Sequence, residues 1–216
     1  SMGGLIIKNI LDALANSVHP LYNNPRVSQY RPLLGKIDKL ILVAPPQLGS
    51  PDAVEALLHG DKAQIGVKEW GILLDEEQAR ELAENMQSAH NLLPSLAYFQ
   101  SVTTPIIKFE ESVNRLNELV SRAGTAITTF SDLRLFLEGD GLRTEPAPND
   151  EESPNVLKTH FLDKAEELHS RIDLWKPPSA DFEVIQIAGW GIKTIHRIDY
   201  KCRLFSCSSL STLDRD

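Results

Sequence analysis

The chain has 216 residues, of which 42% are hydrophobic and 24% charged, and a formal net charge of −8. That composition suits a globular chain with one sizeable core, or one domain carrying a large insertion. The acidic balance excludes a general nucleic-acid binder or a polybasic membrane anchor, and no apolar run approaches the roughly 20 residues that span a bilayer.

The first segment, from Leu5 to Leu14, predicts a helix. Leu5, Ile6, Ile10 and Leu14 fall near helical spacing, and Ile7 and Leu11 widen the apolar face enough to suggest burial against a sheet. Residues 16–36 read as a loop broken by Asn23-Asn24-Pro25 and Arg31-Pro32. Lys39-Leu40-Ile41-Leu42-Val43-Ala44 is a short apolar run stopped by Pro45-Pro46, the pattern of a strand buried on both faces of a parallel sheet. Helices are expected over Asp52–His59, Asp75–Met86 and Lys108–Ala123, with no strand between them. Trp70 with Ile72-Leu73-Leu74 is an apolar cluster within this stretch, suited first to the core of the helical layer, and otherwise to an acyl site or to contact with a lipid surface. Residues 139–155 read as an exposed loop, and Gly139-Asp140-Gly141 as a turn rather than a metal loop. Asn155–Ile172 reads as a helix closed by Pro177-Pro178. Phe182–Ala188 returns to strand character ahead of Gly189-Trp190-Gly191, and His196 falls in a further expected strand. Leu40–Ala44 and Val184–Ala188 are expected to be parallel neighbours, with 52–172 as a separate helical layer.

Cys202 and Cys207 are the only cysteines. A structural zinc site needs four ligands, which this spacing does not offer. A local disulfide and two free thiols both remain open, so cysteine usage does not fix a compartment.

Three segments resemble one known family. Val43-Ala44-Pro45-Pro46-Gln47-Leu48-Gly49-Ser50-Pro51 resembles the V-A-T-P-x-x-G-S-P segment of the lecithin:cholesterol acyltransferase-like proteins, with Pro45 where Thr is common. Asn85-Met86-Gln87-Ser88-Ala89-His90-Asn91-Leu92-Leu93-Pro94-Ser95 resembles their R-N-M-P-S-A-x-x-L-L-P-S cap segment, with Glu84 and Gln87 replacing its Arg and Pro. Ile187-Ala188-Gly189-Trp190-Gly191-Ile192-Lys193-Thr194 resembles the strand-and-glycine segment ahead of the family's acid. The order matches too, across roughly 1–95 and 180–200, whereas 96–179 carries no match.

The resemblance implies a truncated α/β-hydrolase fold with parallel strands and a large, mainly helical cap. Residues 1–50 would be core, 51–180 the cap insertion, and 181–216 a return to the core. Ser1-Met2-Gly3-Gly4 matches the second half of the nucleophile elbow, G-x-S-x-G. Ser1 is then the catalytic nucleophile, and the Met2 N–H contributes to the oxyanion hole at a helix N-terminus, where the dipole favours negative charge. The implied chemistry is acyl transfer or hydrolysis on a lipid or small ester substrate, through an acyl-enzyme and without metal or organic cofactor.

The family's G-D-x-T-V acid segment does not occur, and Asp214 and Asp216 read as a solvated tail. His19, His59, His90, His160, His169 and His196 all precede the place where the fold puts its base, last in chain order. Both ends therefore read as cuts, and the chain alone is expected to be inactive. A general esterase or peptidase of the same fold, or a non-catalytic interaction protein built on it, are the alternatives.

Overall fold

Gly3–Ala15 forms helix α1, which buries Leu5, Leu11 and Leu14 while Ile6 and Ile10 on its other side stay exposed. The computed structural model describes residues 2–60, 76–109, 125–139, 143–147, 150, 153–179, 181–189, 194–203 and 206–208. The fold is mixed α/β. It divides into two units, one of Ser1–Gln47 with Glu167–Ile192, the other of Leu48–Glu166 with Lys193–Asp216.

In the first unit, the expected loop after α1 contains a short helix α2, Pro25–Ser28, and a 3-10 turn, Arg31–Lys36. Asn24-Pro25, read from sequence as a breaker, is in fact a helix start. Asn24 Oδ1 accepts from Arg26 N at 2.9 Å, and Pro25 fills the first helical position, where no N–H is needed. Strand β1, Lys39–Val43, then pairs in parallel with β4, Glu183–Ile187, as the two apolar runs predict. The ladder continues through Ala44 N to Ile187 O at 2.8 Å. Leu42 is buried beneath α1, whereas Ile41, Val43 and Ile187 are exposed, so the run expected to be buried on both faces is buried only at Leu42.

The second unit holds α3 (Pro51–His59), α4 (Glu76–Glu84), α5 (Gln87–His90) and α6 (Leu96–Ser101). These are followed by β2 (Ile107–Phe109), β3 (Ala126–Ile127) and α7 (Phe130–Leu137). Helix α8, Thr159–Ile172, passes to the first unit after Glu166. Strands β5 (Ile198–Arg203) and β6 (Ser206–Ser208) complete a four-stranded sheet in the order β3-β2-β5-β6. β2 runs antiparallel to β3 and parallel to β5.

Several expectations change here. The stretch 52–172 is not purely helical. Ile107 and Phe109 are buried on either side of exposed Lys108, an alternation that makes β2 a strand where a helix from Lys108 was expected. The remainder of that expected helix, 110–123, lies outside the described residues, as do Trp70, Ile72, Leu73 and Leu74. Helix α8 starts at Thr159 rather than Asn155. Asn155 instead bonds outward, its N–H to Leu58 O at 2.9 Å and its Nδ2 to Glu84 Oε2 at 2.8 Å, so 155–158 stays outside the helix. The same contacts bury Asn155 at the end of what read as an exposed loop. His196 precedes β5 and is not in a strand.

The core of this unit gathers Leu57, Leu58, Ile106, Ile107, Leu133 and Ile198 around three rings. Phe109 stacks on Tyr200 at 5.4 Å, and Phe136 tilts against them at 5.7 and 6.0 Å. Gly49 takes φ +89°, and a Cβ there would lie 2.2 Å from Leu93 O, so only glycine lets the chain pass. Ser50 N donates to Leu92 O and Ser95 N to Leu48 O, each at 2.9 Å. Two of the three segments that carry the resemblance thus lie against each other.

Candidate functional site

The chain just past the carboxyl end of β1 meets the first turn of α1, where Gly4 lies against Pro45. In open α/β sheets ligands collect at that edge, because helix N-termini and loop amides converge there. Met2 is the N-cap residue, with helical φ −59° and ψ −15° and no side-chain cap. Its carbonyl accepts from Leu5 N at 3.0 Å and Ile6 N at 3.1 Å, which aligns the first turn of peptide dipoles behind it. Ser1, the expected nucleophile, lies outside the described residues.

The approach of helix to strand depends on Gly4. A Cβ at that position would stand 2.5 Å from Pro45 Cβ and 2.9 Å from Pro45 Cγ. Ala44, immediately before this proline, has φ +42°. A non-glycine residue in the left-handed region is strained by about 1–3 kcal/mol, and such strain gathers at functional edges.

One turn further along α1, Lys8 is buried and donates from Nζ to Gln47 Oε1, tying the Pro45–Gln47 segment to the helix. Its ammonium lies 5.9 Å from the centre of the Trp175 ring. Burial pushes the Lys8 amine below the ordinary lysine range, and the Asp173 carboxylate works against that fall. Asp173 Oδ1 also meets His169 Nδ1 at 2.9 Å, with both side chains buried. Asp12 Oδ1 accepts from Asn16 Nδ2 at 3.2 Å, while the buried Oδ2 has no hydrogen-bond partner among the described residues. His19 receives Leu21 N on Nδ1 at 3.0 Å and donates from Nε2 to Asn9 Oδ1 at 3.3 Å, which makes it the neutral Nε2–H tautomer. Burial first, then Arg171, holds its pKa down, against Asp12 and Glu167.

The histidines are therefore spread between the two units. His19 and His169 stand in the first. In the second, His59 Nε2 lies 2.9 Å from Tyr200 Oη, and His90 and His160 both pack on the Phe161 ring, at 4.8 and 4.1 Å. Complete burial drives the Tyr200 phenol well above its usual range, so it is a protonated core group. Trp190, Gly191, Asp214 and Asp216 lie outside the described residues.

Sequence reasoning missed the polar group along α1. Its signal was present: Lys8 and Asp12 are spaced i, i+4 in a largely apolar helix, and His169 and Asp173 repeat that spacing. Among the described residues, no cluster of three or more His, Cys, Asp or Glu could hold a metal ion, and no helix is long and apolar enough to cross a membrane. No protein-family model matches the chain, and no curated protein or solved structure matches it.

Proposed function

We propose that this chain forms part of a serine-nucleophile α/β-hydrolase similar to the lecithin:cholesterol acyltransferase-like proteins, and that it takes part in acyl transfer or ester hydrolysis on lipid-like substrates. The observation that carries the reading is the set of contacts at Gly4, which bring the first turn of α1 to the carboxyl end of β1, a strand paired in parallel with β4. A nucleophile elbow needs a sharp strand-to-helix turn at the top of the sheet, and a helix start packed this closely on a strand end fits that need. The exposed Ile41, Val43 and Ile187 add support, since parallel strands are ordinarily covered on both faces and these fit a larger sheet.

On this reading Ser1 Oγ attacks the acyl carbonyl and loses its proton to a base. The Met2 N–H stabilises the oxyanion, the alcohol departs, and water or a second alcohol takes the acyl group from Ser1. The base and its carboxylate partner are assigned to no residue of this chain.

The test is labelling of the natural-length protein with a fluorophosphonate, followed by peptide mapping, beside turnover of a short-chain ester. Ser1 should carry the label, and Ser1→Ala should abolish both labelling and turnover. Turnover that survives Ser1→Ala would overturn the assignment.

A further inference from the structure

We propose that the segment between α1 and β1 is an adsorption surface for an anionic lipid bilayer, with Leu21, Tyr30 and Leu33 entering the headgroup layer and Arg26 and Lys36 meeting lipid phosphates. Charge along the chain is uneven. Residues 13–37 carry Arg26, Arg31 and Lys36 and no Asp or Glu, in a chain of net −8. Exposed Asp38 closes the stretch.

The 3-10 turn Arg31–Lys36 sorts its side chains into rows, because residues i and i+3 eclipse in that geometry. Arg31 and Leu34 form a half-buried row. Tyr30, Leu33 and Lys36 form an exposed one, in which Tyr30 is 52% and Leu33 44% exposed. Leu33 N donates to Tyr30 O at 2.9 Å, which fixes that row. The Arg31 guanidinium lies 3.6 Å from the centre of the Tyr22 ring and donates to Tyr22 O. This pair holds exposed Leu21 beside the start of the turn.

Single exposed apolar side chains are ordinary on a protein surface. Here they stand beside cations in a stretch free of acid, and that combination matches an anionic bilayer. Tyrosine favours headgroup depth, where its ring is in apolar surroundings and its hydroxyl is wet. Arg and Lys lay their stems along apolar surface and keep the charge among phosphates. Three cations are fewer than the roughly four to eight of a polybasic anchor, so adsorption needs both contributions. It does not depend on the proposed hydrolase function.

The experiment is co-sedimentation of the natural-length protein with vesicles of phosphatidylcholine containing phosphatidylserine, beside vesicles of phosphatidylcholine alone. The protein should partition to the first far more than to the second. Arg26→Gln with Lys36→Gln should lower the partition coefficient about 25-fold, at about fivefold per cation. Tyr30→Ser with Leu33→Ser should lower it at least about tenfold, since both apolar side chains are lost from the contact. All four positions are exposed, so these variants should keep the urea midpoint of the parent. Leu96→Ser, at an exposed leucine of the second unit, should leave partitioning unchanged. Absence of partitioning by the folded protein would overturn the proposal, as would partitioning that survives the Tyr30 and Leu33 changes or falls equally with Leu96→Ser. Binding to a soluble peptide of Glu and Leu without partitioning to vesicles would overturn it in favour of a protein partner.

Discussion

Pro45 occupies the space that any side chain at position 4 would need, with its Cβ 2.5 Å from where a Cβ on Gly4 would stand. Replacing Gly4 by Ala sets two effects against each other. Alanine gains about 0.8–1.0 kcal/mol as a better helix former. Overpacking against a proline ring costs about 1–3 kcal/mol. The second effect wins, so Gly4→Ala should lower stability in urea by about 1 kcal/mol. Gly35 has nothing within 4 Å of its Cβ position, and Gly35→Ala should stay within about 0.5 kcal/mol of the parent. Equal midpoints for the two variants would show that the close approach is absent.

Ala44 gives a prediction of the opposite sign. Its φ of +42° costs an L-residue about 1–2 kcal/mol, which glycine avoids. Glycine also frees the unfolded chain, at a cost of about 0.4–1 kcal/mol. Ala44→Gly should therefore stabilise the protein by about 0.5–1 kcal/mol, read from the urea midpoint. A destabilised variant would mean that the left-handed conformation carries no strain.

His90 predicts a pH dependence. Its ring is fully buried on Phe161, with Nδ1 3.0 Å from Met86 O and the buried Nε2 without a hydrogen-bond partner among the described residues. Burial lowers its pKa, partly offset by the Met86 hydrogen bond and Glu84, while His160 and Lys158 lower it further. The folded pKa is depressed for a group that is charged when protonated, so the unfolded chain binds the proton more readily. The stability linked to neutral His90 is fully present above pH 6.5 and is lost as pH falls towards the folded pKa. His19, whose pKa is also lowered, adds to the slope in the same direction. His90→Asn keeps a donor for Met86 O but cannot titrate. Its urea midpoint should fall less between pH 7 and pH 5 than that of the parent, and an unchanged slope would count against the assignment.

Arg134 joins α7 to α8. Its guanidinium meets Glu138 at 3.0 Å, Glu166 at 2.6 Å and Asp163, and these partners hold its pKa up, the Asp163 hydrogen bond most of all. Asp163 and Glu166 are more than half exposed, so solvent screens the network. Arg134→Ala should cost about 1 kcal/mol at low salt. The loss should shrink in ~1 M salt, where the Debye length is ~3 Å. A loss independent of salt would point to packing of the side-chain stem as its cause.

The sequence by itself determined the elements whose periodicity is complete within a few residues. Lys39–Val43 and Glu183–Ile187 were legible as strands because a short β-rich apolar run between breakers favours extended backbone, and their parallel pairing followed from the helical stretch between them, but the expected burial on both faces is not found. Helix α1 was legible from its spacing of Leu and Ile, and α3 from the helical periodicity of Asp52–His59.

Tertiary structure decided the rest. Ile107–Phe109 is too short to show a period, and it is a strand because β5, far along the chain, supplies its ladder. Lys8 reads as a surface lysine until Gln47, Asp173 and Trp175, brought from two other segments, surround it. Gly4 is legible as glycine, but the proline ring that excludes any other residue is placed only by the folded chain. Local pattern fixes which conformation a segment prefers, because backbone and neighbouring side chains act over a few residues. Which polar groups become buried together depends on contacts between segments distant in sequence, and only the packed structure determines those.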